Sequence, residues 1–434
     1  MKTLKQTCIP RKSVFDISRR DTVLDLSDLI SKSIDPHIFF EENYITDGMR
    51  RLLLGSFTRF EKKSDQGIFL LTQSMGGGKT HNMISLGLLA IYPEFRKKVM
   101  GDDYKSKVDK VRVVGFTGRD TDEPFGIWGS IAKQLGKKEI FKDYYTPLSA
   151  PGPSAWINLL KGEPLLILLD ELPPYFEHAK AKTIGDSNLS TVTTTALSNL
   201  LIAVNKSDLE NVCVVISDLK ATYEEGSQQV LRALSNFENE VQRSAIRLEP
   251  VGINTDEVYH ILRTRIFEGL PDGKVVLEVA KAYAQAVKDA KQMDLTNASP
   301  EQFVNQIAES YPFHFSLRDL YARFRENARF QQTRGLIRLM RILVSRMYKS
   351  GMAESRYLIH PYDLDLNHRE TITKVTNINS SLENAIAHDI ASEGGAIAEL
   401  MDVKLKGTDA QDVGKLLLVA SLANVPNAVL GLTL

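Results

Sequence analysis

The chain has 434 residues, of which 43% are hydrophobic and 25% are charged, proportions that are ordinary for a soluble, folded protein and exclude a disordered one. Lys and Arg together number 54, the same as Asp and Glu, so no overall charge draws the protein to nucleic acid or to a membrane. The only cysteines, Cys8 and Cys213, have no metal-ligand spacing around them, and the N-terminus lacks the apolar run of a secretory signal. These features predict two or three domains in a reducing, cytoplasmic setting without membrane contact.

The first 45 residues have a mixed composition and predict an arm with one or two short elements, to which we assign no function. A helix is predicted to begin after Thr46, a residue type that caps helix N-termini, because apolar residues at positions 49, 52, 53, 57 and 60 fall on one face. This helix leads into residues 68–71, Ile-Phe-Leu-Leu, which have the length and composition of a buried strand.

A glycine-rich loop, QSMGGGKTH over residues 73–81, separates this strand from a second predicted helix. Consecutive glycines let the backbone approach a phosphate, and the helix that starts at Lys79 presents its positive end. In this arrangement Lys79 reaches the β- and γ-phosphates of a nucleotide, and Thr80 holds Mg²⁺ through its hydroxyl. The predicted nucleotide contacts are Ser74, Met75, Gly76, Gly77, Gly78, Lys79, Thr80 and His81.

The loop departs from the common pattern G-x-x-x-x-G-K-[ST] at its first position, where the chain has Gln73. Positive φ is sterically unfavourable for a residue with a side chain, so we expect the loop to open with a different backbone angle. The alternative interpretation is a glycine turn that precedes a lysine by chance.

A second strand is predicted over residues 111–116, followed by a loop with Gly118, Arg119 and Asp120 and by a helix over residues 128–135. Arg119 could contact the nucleotide or a neighbouring subunit. We prefer to interpret it as a solvated arginine of the loop, since arginine side chains are mostly exposed.

Five consecutive apolar residues, 165–169, precede Asp170 and Glu171. Such a run is typical of a central parallel strand buried on both faces, and carboxylates at its end lie where open α/β sheets bind their ligands. Asp170 is predicted to hold Mg²⁺ through water, and Glu171 to orient and polarise the water that attacks the γ-phosphate. An apolar strand that ends by chance in an acidic turn is the alternative, weakened by the glycine loop upstream.

A polar insertion, residues 180–190, and a helix, residues 191–204, lead to a third buried strand over residues 212–216. Ser217 and Asp218 end this strand. A polar side chain at that end can sense the γ-phosphate or position water, and on this basis Ser217 is a candidate catalytic residue. Simple termination of the strand is the alternative.

Arg232 and Arg243 bracket a helix and the loop before a last strand, predicted over residues 245–251. An arginine at this place can reach a neighbouring subunit's nucleotide and stabilise the charge of the transition state. Arg243 is the preferred candidate for this role in a homo-oligomer. A surface arginine is the alternative.

From residue 256 the sequence predicts a series of helices, the later ones over residues 275–291, 302–310 and 316–349 with a break near Phe330, which would form a lid. Arg334, Arg338 and Arg341 share one helical face, so this basic cluster could contact ATP, DNA or a partner. The sequence Gly-Leu-Ile-Arg, ending at Arg338, has the G-x-x-R form of a lid arginine that senses nucleotide. A solvated basic face is the alternative.

Beyond residue 351 the sequence predicts an alanine-rich helix and an apolar run over residues 416–434. Asn424, Pro426 and Asn427 interrupt this run, so a buried element of the core is a better interpretation than a membrane span. Because the run stops without a capping residue or a polar tail, we expect the chain to be the N-terminal part of a longer protein or to have lost a C-terminal partner domain.

Three features, QSMGGGKTH, LLILLDE and the helical segment with TRGLIRL, together resemble an AAA+ ATPase of the additional-strand class. More narrowly, CIPRKSVFD, FFEENYITDGMRRLL, IWGSIAKQLG, LLILLDELPPY and YPFHFSLRDLY look like one family of large bacterial and archaeal predicted ATPases. That family has long been catalogued as a domain of unknown function and is often encoded beside DNA methyltransferases and helicases in defence-type clusters. The resemblance runs from about residue 8 to the end of the chain.

The resemblance implies an α/β fold, in which a P-loop core of three layers (αβα) with a parallel sheet is followed by an α-helical lid and the start of a further C-terminal domain. We place the arm at residues 1–45, the core at 46–252, the lid at 253–350 and the C-terminal segment at 351–434. ATP and Mg²⁺ are the implied cofactors, with Arg338 of the lid as a further nucleotide contact. The implied activity is ATP hydrolysis coupled to remodelling of DNA or of a partner protein, such as a methyltransferase or helicase, including in phage defence.

Two other functions stay open. Residues 205–208, Asn-Lys-Ser-Asp, match the N-K-x-D guanine motif of GTPases, but the D-x-x-G of that class is missing after Asp170 and the residues before Asn205 fit a helix better than a strand. The second alternative is a scaffold that binds ATP, hydrolyses little of it and uses the lid as a switch. Glu171 argues against this alternative, because a pure binder does not need that carboxylate.

Overall fold

The computed structural model describes residues 1–16, 24–73, 76–217, 228–252, 256–289, 299–317 and 332–421. The chain divides into two compact units. The α/β unit comprises Val23–Glu41 and Ile45–Gly252, and the helical unit comprises Met1–Thr22, Glu42–Tyr44 and Ile253–Leu434.

The strands of the described residues, numbered in chain order, are β1 (Ile9–Pro10), β2 (Ile68–Leu71), β3 (Arg112–Thr117), β4 (Leu165–Asp170), β5 (Thr183–Ile184), β6 (Ser187–Asn188), β7 (Val212–Ser217), β8 (Ile246–Leu248) and β9 (Phe267–Gly269). The described α-helices of four or more residues are α1 (Leu4–Thr7), α2 (Lys12–Phe15), α3 (Leu26–Ile30), α4 (Pro36–Glu41), α5 (Asp47–Phe60), α6 (Lys79–Ile91), α7 (Arg96–Met100), α8 (Gly126–Gln134), α9 (Pro153–Leu160), α10 (Leu172–Lys180), α11 (Leu189–Val204), α12 (Gln228–Ser244), α13 (Glu257–Ile266), α14 (Gly273–Asp289), α15 (Pro300–Ser310), α16 (Gln332–Lys349), α17 (Arg369–Ile378), α18 (Ile397–Leu405) and α19 (Asp409–Ser421).

A five-stranded parallel sheet organises the α/β unit, with the strand order β3-β4-β7-β2-β8. All residues of β4 are buried, as its run of apolar residues predicts for a strand covered on both faces. The strands predicted over residues 68–71, 111–116 and 212–216 are confirmed to within one residue. The last predicted strand, over residues 245–251, is shorter than expected and covers only Ile246–Leu248.

Helices cover both faces of this sheet, because successive side chains of a strand point to opposite faces. Leu165, Ile167 and Leu169 contribute to one core, together with residues of α8 to α12. Leu166 and Leu168 contribute to a second core, together with residues of α3, α5 and α6. The α/β unit therefore has a parallel sheet between two layers of helices.

Helix α5 begins where the sequence predicts. The side-chain hydroxyl of Thr46 accepts a hydrogen bond from the backbone N–H of Met49 at 3.1 Å, which satisfies one of the free donors of the first turn. The five predicted core positions of this helix, 49, 52, 53, 57 and 60, are all buried. The polar insertion predicted after α10 contains the short hairpin of β5 and β6.

The predicted arm is divided between the two units, because its apolar residues are buried in two separate cores. Leu26 and Leu29 of α3 belong to a core of the α/β unit, and a Cβ added to Gly87 of α6 would lie 2.3 Å from a methyl carbon of Leu29. Leu4 and Val14 belong instead to the core of the helical unit. Residues 1–45 thus contribute packing surface to both units.

In the helical unit, the N-terminal residues are held by strand pairing and by a tyrosine. β1 pairs antiparallel with β9, and the hydroxyl of Tyr348 on α16 donates to the carbonyl oxygen of Leu4 at 3.0 Å or of Cys8 at 2.8 Å. The helices predicted from residue 256 and over residues 275–291 and 302–310 are present as α13, α14 and α15, and the described part of the helix predicted over residues 316–349 is α16. The predicted break near Phe330 lies outside the described residues.

The described part of the C-terminal segment ends with α19 at Ser421, so the predicted apolar element over residues 416–434 is described only in its first part. Among the helices of the described ranges, none is both long enough and apolar enough to cross a membrane.

Candidate functional site

The candidate site lies at the edge of the sheet where β2, β4 and β7 end. The glycine loop (residues 73–79) follows β2, Asp170 closes β4, and Ser217 closes β7. The carboxyl ends of parallel strands meet at one edge of a sheet. Three segments that are far apart in the sequence therefore converge, as the sequence analysis predicts.

The backbone of the glycine loop requires glycine at two positions. Gly76 and Gly78 have φ values of 83° and 92°, a region that residues with a Cβ rarely adopt. Gly78 is the N-cap of α6, and the side-chain amide of Asn82 donates to the Gly78 carbonyl oxygen at 3.0 Å. The loop is thereby held against the first turn of α6, where the leading backbone N–H groups have no partner within the helix.

Gln73 and Lys79, which lie at the two ends of the loop, are in contact with each other. The Lys79 ammonium donates to the carbonyl oxygen of Gln73. The Gln73 side chain is 7% exposed; its Nε2 donates to the carbonyl oxygen of Val251 at 3.2 Å, and the Val251 N–H donates to its Oε1 at 3.2 Å. Gln73 does not have a positive φ, which agrees with the expected change of backbone angle, and its two hydrogen bonds give glutamine a role that glycine could not fill.

Thr80 and Asp170 are in direct contact. The Thr80 hydroxyl donates to Oδ2 of Asp170 at 2.6 Å, across 90 residues of sequence. Asp170 is only 3% exposed, and its other oxygen accepts a hydrogen bond from the Glu171 backbone N–H at 3.0 Å. The half-buried Thr80 hydroxyl and the buried Asp170 carboxylate therefore meet beside the first turn of α6.

Glu171 has a backbone conformation that is uncommon for a residue with a side chain, with φ 46° and ψ 43°. A left-handed non-glycine residue costs about 1–3 kcal/mol and is held by its surroundings. Here the hydroxyl of Ser217, which is 1% exposed, accepts from the Glu171 N–H at 3.0 Å. Ser217 therefore holds the backbone of Glu171.

The sequence favours a solvated Arg119 in the loop, but in the structure this arginine pairs with Glu171. Its guanidinium binds the Glu171 carboxylate with two hydrogen bonds, from Nε to Oε2 and from Nη2 to Oε1, the second at 3.1 Å. The loop can approach because residue 118 is glycine: a Cβ there would lie 1.9 Å from the Glu171 carbonyl oxygen. The position of Arg119 in the sequence could have indicated this contact, because Arg119 follows β3, which lies next to β4, at the same edge of the sheet.

The surroundings of this pair are acidic. Partial burial, together with the negative charge of nearby Asp25, raises the pKa of Asp120 above its ordinary value. Arg119 also interacts electrostatically with Asp25. The Arg119 and Glu171 side chains are 61% and 30% exposed, so water competes for their contact.

Four further predicted contacts have different outcomes. The His81 ring stacks on the Phe39 ring of α4, with 4.6 Å between the ring centroids. Gly77 is buried within the glycine loop. Ser74 and Met75 lie outside the described residues.

Two family models match most of the chain. Residues 9–111 and 123–249 match the DUF499 N-terminal domain, and residues 252–418 match the DUF499 second domain. The chain belongs to the DUF499 family. A search of curated proteins found no match to the chain.

Both matched domains contain candidate arginines, and the first is Arg243 of the DUF499 N-terminal domain. Arg243 lies near the end of α12, just before β8, and the Gln66 side chain that precedes β2 donates to the neighbouring Ser244 carbonyl. This is the amino edge of the sheet, about 13–20 Å from the carboxyl edge at 3.3 Å per residue. Arg243 is thus remote from Glu171 of its own chain, and its predicted action on a neighbouring subunit stays a prediction.

The arginines of α16 lie in the DUF499 second domain. Arg341 is 7% exposed and its guanidinium donates to the Glu42 carboxylate at 3.2 Å. Arg346, on the same helix, binds Asp365 through two nitrogens at 2.8 and 3.0 Å. Both residues thus have carboxylate partners within the helical unit, whereas the predicted contact of Arg338 with a nucleotide stays a prediction.

The GTPase alternative loses its structural basis. Asn205 is the C-cap of α11, and Ser207–Leu209 form a short 3-10 helix, so the N-K-x-D residues follow a helix, as the sequence analysis predicts. The Asp208 carboxylate lies 3.5 Å from the Lys161 ammonium. Asp208 does not lie at the end of a strand, where the guanine motif would need it.

In the described ranges, no group of three or more His, Cys, Asp and Glu residues is arranged to hold a metal ion. Mg²⁺ at nucleotide sites does not require such a cage, because one or two protein oxygens, water and phosphate oxygens complete its coordination. The Thr80 hydroxyl and the Asp170 carboxylate, 2.6 Å apart, are oxygen donors of the kind that Mg²⁺ prefers.

Proposed function

We propose that this DUF499 protein binds and hydrolyses ATP as a P-loop ATPase of the AAA+ type, with Mg²⁺ as cofactor. The observation that carries the proposal is the contact between Thr80 and Asp170. A glycine loop alone is a weak signal, but a hydroxyl after its lysine that meets the carboxylate at the end of a second buried strand, with β7 between the two strands, is the arrangement expected of a nucleotide site.

The glycine loop supplies the phosphate contacts. The leading N–H groups of the first turn of α6 and the Lys79 ammonium are donors for phosphate oxygens. Thr80 and Asp170 would hold Mg²⁺, which neutralises charge on the phosphates when it is bound. Lys79 must then leave the Gln73 carbonyl, a neutral acceptor, for anionic oxygens that bind it more strongly.

Glu171 acts as the base. Its carboxylate orients the attacking water and accepts a hydrogen bond from it, which aligns the water with the terminal phosphate. Asp170 and Ser217 assist indirectly, because both accept a hydrogen bond from the Glu171 backbone N–H. With the backbone of Glu171 held in this way, the carboxylate is directed from a fixed point at the edge of the sheet.

A specific observation favours the second candidate, a nucleotide-gated scaffold with little hydrolysis. Arg119 engages both carboxylate oxygens of Glu171, and a carboxylate in that state is not free to orient water. Because the pair is substantially exposed, opening it costs little. We therefore favour an ATPase whose turnover depends on the opening of this pair.

The work that ATP performs is proposed on the sequence resemblance alone. That resemblance supports remodelling of DNA or of a DNA-modifying partner such as a methyltransferase or helicase. A homo-oligomer, in which Arg243 completes the site of a neighbour, belongs to the same proposal.

Two substitutions test the proposal. Lys79→Ala removes the phosphate contact and should weaken ATP binding at least about 100-fold, whereas Glu171→Gln should keep ATP affinity within a few-fold and lower turnover about 100-fold or more. Isothermal titration with Mg²⁺ and ATP measures the first effect, and phosphate release measures the second.

Exposed residues of the same types provide the controls. Lys63→Ala removes a surface ammonium that pairs with Glu61, and Glu163→Gln removes a surface carboxylate that pairs with Arg112. Both variants should bind and hydrolyse ATP like the unmodified protein. Wild-type turnover in the Glu171→Gln variant would show that Glu171 is not the base, and ATP binding without measurable turnover in the unmodified protein would favour the scaffold. Wild-type ATP affinity in Lys79→Ala would refute the site itself.

A further inference from the structure

The segment through which the chain leaves the α/β unit, residues 248–252, is held on two sides. On one side, the Thr72 N–H donates to the Leu248 carbonyl oxygen at 2.9 Å. On the other side, the Thr46 hydroxyl donates to the Pro250 carbonyl oxygen at 2.5 Å, and a Cβ on Gly48 would lie 1.8 Å from the Glu249 carbonyl oxygen. The exit segment (residues 248–252) is thus clamped between the end of β2 and the start of α5.

Gln73 connects this exit segment to the glycine loop. Its carbonyl oxygen accepts the Lys79 ammonium, while its side-chain amide exchanges two hydrogen bonds with the backbone of Val251. Both Gln73 and Val251 are buried, at 7% and 5% exposure, so water does not readily replace these bonds. One residue therefore contacts both the lysine of the loop and the backbone of the exit segment.

We propose that Gln73 is a positioning residue that transmits nucleotide binding from Lys79 to the exit segment and so to the first helix of the second domain. This inference rests on the proposed function. When a triphosphate takes the Lys79 ammonium, the Gln73 carbonyl loses its charged partner and its peptide group can reorient. The paired side chain delivers that change to Val251, six residues before α13 begins at Glu257.

The chemistry of the side chain explains why this position is glutamine. Glycine, the residue of the common pattern, has no side chain with which to bind Val251. Glutamate has the length but lacks the N–H that donates to the Val251 carbonyl, and asparagine is one methylene shorter. Glutamine has the donor, the acceptor and the reach that the two bonds of 3.2 Å require.

The chain contains a matched control for these bonds. Gln134 of α8 makes the same two-way pair with a backbone, because its Nε2 donates to the Gly115 carbonyl oxygen at 2.8 Å and the Gly115 N–H donates to its Oε1 at 3.0 Å. Gly115 lies within β3, away from the exit segment. Gln73→Met and Gln134→Met therefore remove equivalent hydrogen bonds with little change of side-chain size.

The experiment measures hydrogen–deuterium exchange of the full chain, with and without Mg²⁺ and a slowly hydrolysed ATP analogue, ATPγS. In the wild-type protein, ATPγS should change exchange both in the glycine loop and in α13, by a factor within the range of about 5–150 that is typical of coupled sites. In Gln73→Met the change in the loop should persist while the change in α13 falls below about twofold. Gln134→Met should retain both changes.

Each result has one meaning. An unchanged response of α13 in Gln73→Met overturns the inference and leaves the proposed function intact. A wild-type protein whose glycine loop responds to ATPγS but whose α13 does not also overturns it, and this measurement needs no variant, so a failure of Gln73→Met to fold does not protect the inference. Absence of any response to ATPγS in the wild-type protein refutes the proposed function and the inference with it.

Discussion

Arginine–glutamate pairs occur in both units of the molecule, and their burial differs. In the α/β unit, Arg119 and Glu171 are 61% and 30% exposed. In the helical unit, the side chains of Arg341 and Glu42 are 8% and 20% exposed. An exposed pair contributes about 0–1 kcal/mol and opens readily, whereas removing one partner of a buried pair leaves an uncompensated charge and is strongly destabilising.

Burial, more than residue type, therefore sets whether such an ion pair opens readily or stays closed. The Arg119 pair lies at the edge of the sheet, where Glu171 must be released if it is to act on a water molecule. The Arg341 pair joins α16 to residue 42 within the helical unit. Residue 42 follows α4 directly in the sequence, although α4 itself belongs to the α/β unit. The first pair is suited to a movable contact, and the second to a permanent one.

The largest effect should come from the contact that defines the edge of the sheet. Thr80→Val keeps the shape of the side chain but removes the hydroxyl that donates to Asp170, so ATP turnover should fall about 100-fold, as expected when one charge-stabilising contact is lost. Thr58→Val removes an exposed hydroxyl that donates to the Leu54 carbonyl of α5 and should leave turnover unchanged. Phosphate release measures both; equal activity of Thr80→Val and wild type would remove Thr80 from the site.

The buried pair should show its role in stability. Arg341→Met keeps the aliphatic stem but removes one of the two charges that pair with Glu42, the other being Arg265 at 3.9 Å. We therefore expect the helical unit to lose about 2 kcal/mol of unfolding free energy, less than the roughly 3–5 kcal/mol for a buried charge left without any partner. Arg346→Met removes a more exposed pair with Asp365 and should cost less than about 1 kcal/mol. Urea unfolding followed by hydrogen exchange in α16 gives both values; similar losses for the two variants would contradict the distinction drawn from burial.

The exposed pair should show its role in turnover. Arg119→Ala frees both oxygens of the Glu171 carboxylate, so the rate of ATP hydrolysis should rise, by about 3–10-fold, with ATP affinity unchanged. Arg112→Ala removes a comparable exposed pair with Glu163 at the other end of β3 and should have no effect. A fall in turnover for Arg119→Ala would mean that the arginine assists the reaction and does not restrain Glu171.

No effect is expected from the residue that resembles a guanine contact. Because Asp208 lies in a short helix and pairs with Lys161, Asp208→Ala should leave ATP turnover and the preference for ATP over GTP unchanged. Competition between the two nucleotides in a phosphate-release assay measures that preference. A wild-type preference for GTP that Asp208→Ala abolishes would restore the GTPase alternative.

The amino-acid sequence alone was enough to predict which residues lie at the carboxyl edge of the sheet in the α/β unit. Apolar runs of four to six residues predict buried parallel strands, and parallel strands bring their carboxyl ends to one edge. The positions of the glycine loop, Asp170, Glu171 and Ser217 along the strands were therefore enough to predict that they converge. The Thr46 cap and the helix before Asn205 were also predicted correctly, because such local features depend only on neighbouring residues.

Contacts between side chains that are far apart in the sequence could be identified only in the folded structure. The contacts of Arg119 with Glu171, Gln73 with Val251 and Arg341 with Glu42 span 52, 178 and 299 residues. No periodicity or spacing encodes such a contact, because it depends on how loops and helices pack once the cores have formed. An arginine has the same sequence signature whether it is solvated, pairs with a carboxylate of the candidate site or is buried against a carboxylate elsewhere, and its burial in the folded chain distinguishes the three.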